Sequence, residues 1–164
     1  MVDRRTDHAR RKRVADMSLE EMRQALLVSE KTGLPNKRAF DEAEPSAWIA
    51  MGDVDGLKRL NDHYGYAAGD TLIERLAAVF LEVKLDAYHD KGDEFIFRGS
   101  SFHELNTKLA KAERILKDQP FVVHTMNDTV KPIDGAWFSY GIGTTLKEAE
   151  KSLKHQKEIR KAER

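Results

Sequence analysis

Cysteine is absent from the sequence. That excludes disulfides, thiolate metal sites and a thiol nucleophile, and nothing calls for an oxidising compartment. Long apolar stretches are missing as well. The longest run is Leu76–Leu81, far short of the roughly 20 apolar residues a membrane-crossing helix needs. Net charge is zero, because 28 basic residues balance 28 acidic ones. Internal repeats, low-complexity segments and Pro-rich linkers are lacking too. What is present is a chain of 164 residues, 40% apolar and 34% charged. That describes one soluble domain large enough to bury a core. The expected location is cytoplasmic.

The charge is unevenly placed. Arg4, Arg5, Arg10, Arg11, Lys12 and Arg13 crowd the start, with no apolar stretch behind them, so they do not form a signal peptide. Residues 151–164 hold six more basic side chains. No aromatic residue is interleaved at either end, which favours solvated charge over a nucleic-acid contact. Neither nucleic acid nor a membrane is expected as a partner.

Periodicity outlines the elements. Met17 to Glu30 reads as an amphipathic helix, with Ser18 as N-cap and Glu21 completing a capping box. Thr32-Gly33-Leu34-Pro35 breaks it, and Asn36 can cap a short helix to Ala43. Ala47 to Met51 has the profile of a buried strand. A helix over Leu57–Tyr64 follows, then a loop over Gly65–Gly69, then a helix from Asp70 to about Lys84. Two short runs flanking Lys91-Gly92 signal a hairpin. A helix from Ser101 to Lys117, strands at Phe121–Thr125 and Ala136–Ile142, and a basic helix from Thr145 complete the order. Consecutive strands after Lys84 favour α+β over a doubly wound α/β sheet. The expectation is a central, antiparallel-rich, five-stranded sheet flanked by helices. Trp48 and Trp137 are expected in the core. His8, His63, His103, His124 and His155 have no ligand spacing and are expected at the surface.

Two acidic pairs carry the chemistry. Asp53-Val54-Asp55 follows a buried strand, and Asp93-Glu94 sits beside the hairpin turn. Successive strand residues point to opposite faces, so one of Asp53 and Asp55 serves a given site. Carboxylates from a strand end and a hairpin can meet over one sheet edge. Hard oxygen ligands of that kind suit Mg²⁺ shared with substrate phosphates, the arrangement of metal-assisted nucleotidyl transfer. Each pair alone is more readily a set of cap and turn residues.

The surrounding motifs sharpen this. Thr32 to Phe40, Asp53-Val54-Asp55-Gly56-Leu57-Lys58-Arg59-Leu60-Asn61-Asp62, Gly65-Tyr66-Ala67-Ala68-Gly69-Asp70, Lys91-Gly92-Asp93-Glu94-Phe95 and Ser139 to Gly143 stand in order. Together they resemble the GGDEF-domain family of diguanylate cyclases, in a form with Lys91 replacing the first Gly of the signature. The resemblance covers residues 29 to about 161. It implies residues 1–28 as a basic tail and helix and 29–164 as the GGDEF domain.

The resemblance also implies a polymerase-palm-like fold and condensation of two GTP into cyclic di-GMP plus pyrophosphate. Each protomer would hold one GTP, and a transient homodimer would complete the site. Mg²⁺ or Mn²⁺ would be held by Asp53, the Val54 carbonyl and Asp93. Asp93 would help deprotonate the attacking hydroxyl. Lys58 would neutralise phosphate charge, near the amides of Gly56 and Leu57 at a helix start. Asn61 and Asp70 would read guanine, with Tyr66 beside it where the family usually has His. Lys157 and Lys161 would reach the terminal phosphates; their other reading is a solvated basic face.

Further departures bear on activity. Lys91 stands where Gly serves a tight turn, so it could strain the turn, crowd the substrate or add charge. Ser29 and Lys31 replace the Asp and Leu of the usual preceding motif, and His89 and Asp90 replace an Arg and an aromatic residue. Glu82-Val83-Lys84-Leu85 lacks the product-inhibition pattern, and no sensory domain is expected. The alternative is therefore an impaired GGDEF domain acting as a GTP-binding or protein-interaction regulatory module.

Overall fold

The computed structural model describes residues 13–163. The basic side chains from Arg4 to Lys12, and His8, lie outside the described residues. After a single 3₁₀ turn, helix α1 spans Leu19–Leu27, and the Ser18 hydroxyl accepts the Glu21 amide at 3.1 Å. The helix is shorter than its periodicity suggests, because Val28 is already extended and bridges to Pro35. Helix α2, Lys37–Glu42, is capped by Asn36, as expected.

Strand β1 covers Trp48–Val54. It runs three residues past the expected end, because the strand holding Phe138 and Ser139 carries the ladder on through Asp53↔Ser139 and Val54↔Phe138. Helices α3 (Leu57–Tyr64) and α4 (Tyr66–Glu82) follow. The expected five-residue loop between them shrinks to Gly65, whose φ of +97° alone makes the break. Strands β2 (Asp86–His89) and β3 (Phe95–Gly99) form the expected hairpin. Helix α5, Phe102–Asp118, is capped by Ser101. Strands β4 (Phe121–His124), β5 (Val130–Ile133) and β6 (Phe138–Gly143) lead to α6, Leu146–Ala162, capped by Thr145.

The central sheet has the order β2-β3-β1-β6, antiparallel throughout. The fold class is as expected, but the sheet has four strands rather than five. β4 instead pairs with β5 in a separate two-stranded ribbon. β5 escaped the sequence reading because Val130-Lys131-Pro132-Ile133 is short and contains Pro, which masks a strand signal.

Strand alternation sorts the central sheet into two faces. Ala50, Val54, Phe95, Phe97, Phe138 and Tyr140 share one face, covered by α4 and α5. Phe80 of α4 sits at its centre, edge-on to Phe95 at 5.0 Å and Phe97 at 4.9 Å, and tilted against Phe138 at 5.2 Å. Asp53, Ser139, Gly141 and Gly143 share the other face, where α6 packs. A Cβ on Gly141 would overlap the backbone nitrogen of Leu153. Glycine thus lets α6 lie close on β6 and brings the basic side chains of that helix to Asp53. Trp48 packs against Phe102, as a core residue should. Trp137 does not belong to the core. It precedes β6, is 46% exposed, and lies under Lys117 and Arg160. His63, His103, His124 and His155 are exposed, as expected. Among the described residues no helix is long and apolar enough to cross a membrane.

Candidate functional site

The carboxyl end of β1, the β2–β3 turn, the start of α3 and the last turns of α6 converge on one sheet edge. Asp53 Oδ2 accepts from Lys157 Nζ at 2.5 Å. Only 13% of the Asp53 side chain is exposed, and its Oδ1 is buried without a hydrogen-bond partner. Burial pushes the Asp53 carboxyl above its ordinary range, against the opposing hydrogen bond and charge of Lys157. The neighbouring charge of Asp93 raises it further.

Asp93 is shifted the same way, again chiefly by burial. Its charged form is favoured by its own backbone N–H, by Lys157 and by the Val54 N–H. Lys157 thus acts on both carboxylates, and the charge of Asp93 is felt at Asp53. An orphaned buried oxygen and two destabilised carboxylates are what a divalent cation relieves. Among the described residues no third acidic or histidine side chain closes a cage. The donor set thus fits Mg²⁺, which is commonly held by one or two carboxylates with substrate phosphates supplying the rest.

An open cleft of about 480 Å³ runs beside these carboxylates. It brings together Val54, Lys58, Asn61, Tyr66, Asp93 and Lys157. Lys58 is 92% exposed and pairs loosely with Asp62 at 3.4 Å. Tyr66, the first residue of α4, is 83% exposed. Asn61 turns its Oδ1 onto Gly69, where a Cβ would collide with it; that oxygen is buried and has no hydrogen-bond partner. Lys161 lies off this cleft, in an adjoining hollow with Asp55, Gly56 and Lys157. Asp70 is also set apart: its carboxylate pairs with Lys31 at 2.6 Å.

Lys91 does not strain the turn. The left-handed φ of +53° falls on Gly92, and Lys91 is not among the described residues with positive φ. The expected backbone cost of the missing Gly is thus not incurred. Sequence reasoning treated His89 and Ser29 only as departures. In the structure they touch each other at 2.6 Å, and the His89 ring reaches the Gly92 carbonyl at 2.8 Å. Their separation of 60 positions hid the contact.

No protein-family model matches the chain. Among curated proteins, the chain is 35% identical to the diguanylate cyclase DgcZ of Escherichia coli over 77 residues, covering 40% of this chain and 26% of that protein. The chain spans between 10% and 30% of the length of the curated relatives it matches. Among solved structures it resembles the coiled coil and GGDEF domain of DgcB from Caulobacter crescentus, in complex with c-di-GMP. There the TM-score is 0.65 at 24% identity, over 84% of this chain and 79% of that one. It also resembles the diguanylate cyclase SiaD in complex with its activator SiaC from Pseudomonas aeruginosa. There the TM-score is 0.69 at 20% identity, over 84% and 60%.

The fold is that of the solved GGDEF domains. The family resemblance read from the motifs holds, and the matching sequence relatives include diguanylate cyclases.

Proposed function

We propose that this domain is a diguanylate cyclase, joining two GTP molecules into cyclic di-GMP with release of pyrophosphate. The observation that carries the reading is the electrostatically coupled pair Asp53 and Asp93, with an orphaned Asp53 oxygen, beside a cleft lined by Lys58, Asn61, Asp93 and Lys157. Bound Mg²⁺ or Mn²⁺ would supply positive charge against the phosphates. Lys157, released from Asp53, and Lys58 would neutralise phosphate oxygens, and Lys161 would extend that charge along α6. Asp93, its carboxyl raised by burial, suits the role of proton acceptor for a 3′-hydroxyl. Asn61, Tyr66 and Asp70 would hold the base. One cleft takes one GTP, so the reaction needs a second protomer and a transient homodimer.

The deciding assay incubates the purified chain with GTP and Mg²⁺ or Mn²⁺ and identifies the product by mass. Cyclic di-GMP is the expected result; GTP left intact after long incubation at high protein concentration overturns the cyclase.

One observation favours the second reading, a GTP-binding regulatory module. The Lys31–Asp70 pair occupies the carboxylate that would accept from guanine N1–H and the 2-amino group. Guanine must displace that lysine. Both side chains are about half exposed, so the pair is worth only about 0.2–1 kcal/mol. Lys31→Ala is expected to tighten GTP binding about two- to fivefold and leave ATP binding unchanged, as read by calorimetry. Equal effects on both nucleotides would remove Asp70 from base recognition.

A further inference from the structure

We propose that His89 is a positioning residue that ties Ser29, just beyond α1, to the Gly92 carbonyl and thereby orients Asp93. It rests on the reading of Asp93 as the working carboxylate of the cyclase.

His89 ends β2 and is 5% exposed, with its ring against Phe95 at 4.9 Å. Both ring nitrogens are engaged. Nε2 lies 2.8 Å from the Gly92 carbonyl oxygen, which can only accept, so Nε2 carries the hydrogen. In the neutral ring Nδ1 is then an acceptor, and the Ser29 hydroxyl donates to it at 2.6 Å. Ser29 Oγ in turn accepts the Thr32 amide at 3.4 Å. The backbone of His89 is held as well, its N–H donating to Pro35 O at 2.8 Å.

The turn it reaches has little else to set its direction. Nothing lies within 4 Å of where a Gly92 Cβ would stand, so side-chain packing does not brace that residue. Two backbone bonds close the hairpin, Asp90 N–H to Glu94 O at 3.0 Å and Glu94 N–H to Lys91 O at 2.9 Å. Neither holds the peptide between Gly92 and Asp93. His89 does. A peptide unit is planar, so gripping the Gly92 carbonyl also sets the direction of the Asp93 N–H. That N–H is one of the groups that favours the charged Asp93 carboxylate. The path from Ser29 to the carboxylate is thus two side-chain hydrogen bonds and one rigid plane.

The test uses the full chain without ligand first. A long-range ¹H–¹⁵N spectrum should show His89 as the Nε2–H tautomer, and an Nδ1–H tautomer overturns the proposal. Amide exchange should then be compared in Ser29→Ala and Ser29→Thr. Ser29→Ala is expected to speed exchange at Asp93 and Glu94 about fivefold, with β1 and β6 amides unchanged. Ser29→Thr, which keeps the hydroxyl, should restore the slower rate. Unchanged hairpin exchange in Ser29→Ala overturns the proposal. With GTP and Mg²⁺, Ser29→Ala should lower kcat about tenfold and leave KM within about twofold; a change confined to KM counts against it. The spectrum and the exchange rates decide the positioning role even if the wild-type chain forms no product, so failure of the cyclase reading stays distinguishable.

Discussion

Asp93→Asn is expected to lower cyclic di-GMP formation about 10³-fold, since it removes both a metal carboxylate and the proposed proton acceptor. The same change is expected to raise the melting temperature of the metal-free protein by about 2–4 °C. The two expectations share one cause. Burial, and to a lesser degree the charge of Asp55, make a charge at Asp93 costly without a cation. Both carboxyls are raised, so the folded chain keeps protons that the unfolded chain has already released just above pH ~4. Their contribution to stability is therefore present below that point and is lost as pH climbs through the folded values. Thermal melts of wild type and Asp93→Asn across pH 4–7 should diverge in that direction. A lower melting temperature for Asp93→Asn at neutral pH would mean that its hydrogen bonds outweigh its burial.

Phe80→Ala is expected to cost about 4 kcal/mol. Phe80 is buried where α4 crosses the sheet and touches Phe95 and Phe97 of β3 and Phe138 of β6. Removing its ring opens a cavity that backbone on every side prevents from collapsing. Phe95 is two residues from Asp93, and Phe138 pairs with Val54, so the loss should loosen both carboxylate-bearing segments. Urea unfolding gives the stability. A loss under about 2 kcal/mol would show that the sheet closes over the gap.

Much of the candidate site could be picked out in the sequence because its groups sit in short contiguous motifs. Asp53 with Lys58 and Asn61, and Lys91 to Phe95, each lie within one strand end, helix start or turn. Local rules about strands, caps and turns suffice to place them. Ser18, Asn36 and Ser101 cap as their side chains indicate. What failed was pairing. The ribbon of β4 and β5, the Lys31–Asp70 pair, the exposed Trp137 and the Ser29–His89 contact all depend on neighbours far along the chain.

The sequence by itself determined the α+β class, the family resemblance and the two acidic segments joined by Lys91-Gly92. Local preference and composition carry those. Only the tertiary structure decided that Gly92, not Lys91, takes the left-handed φ, that Lys157 reaches Asp53 across the face where Gly141 admits α6, and that His89 grips the turn presenting Asp93. Each arises from segments brought together by burying one core, and local sequence preference says nothing of such contacts.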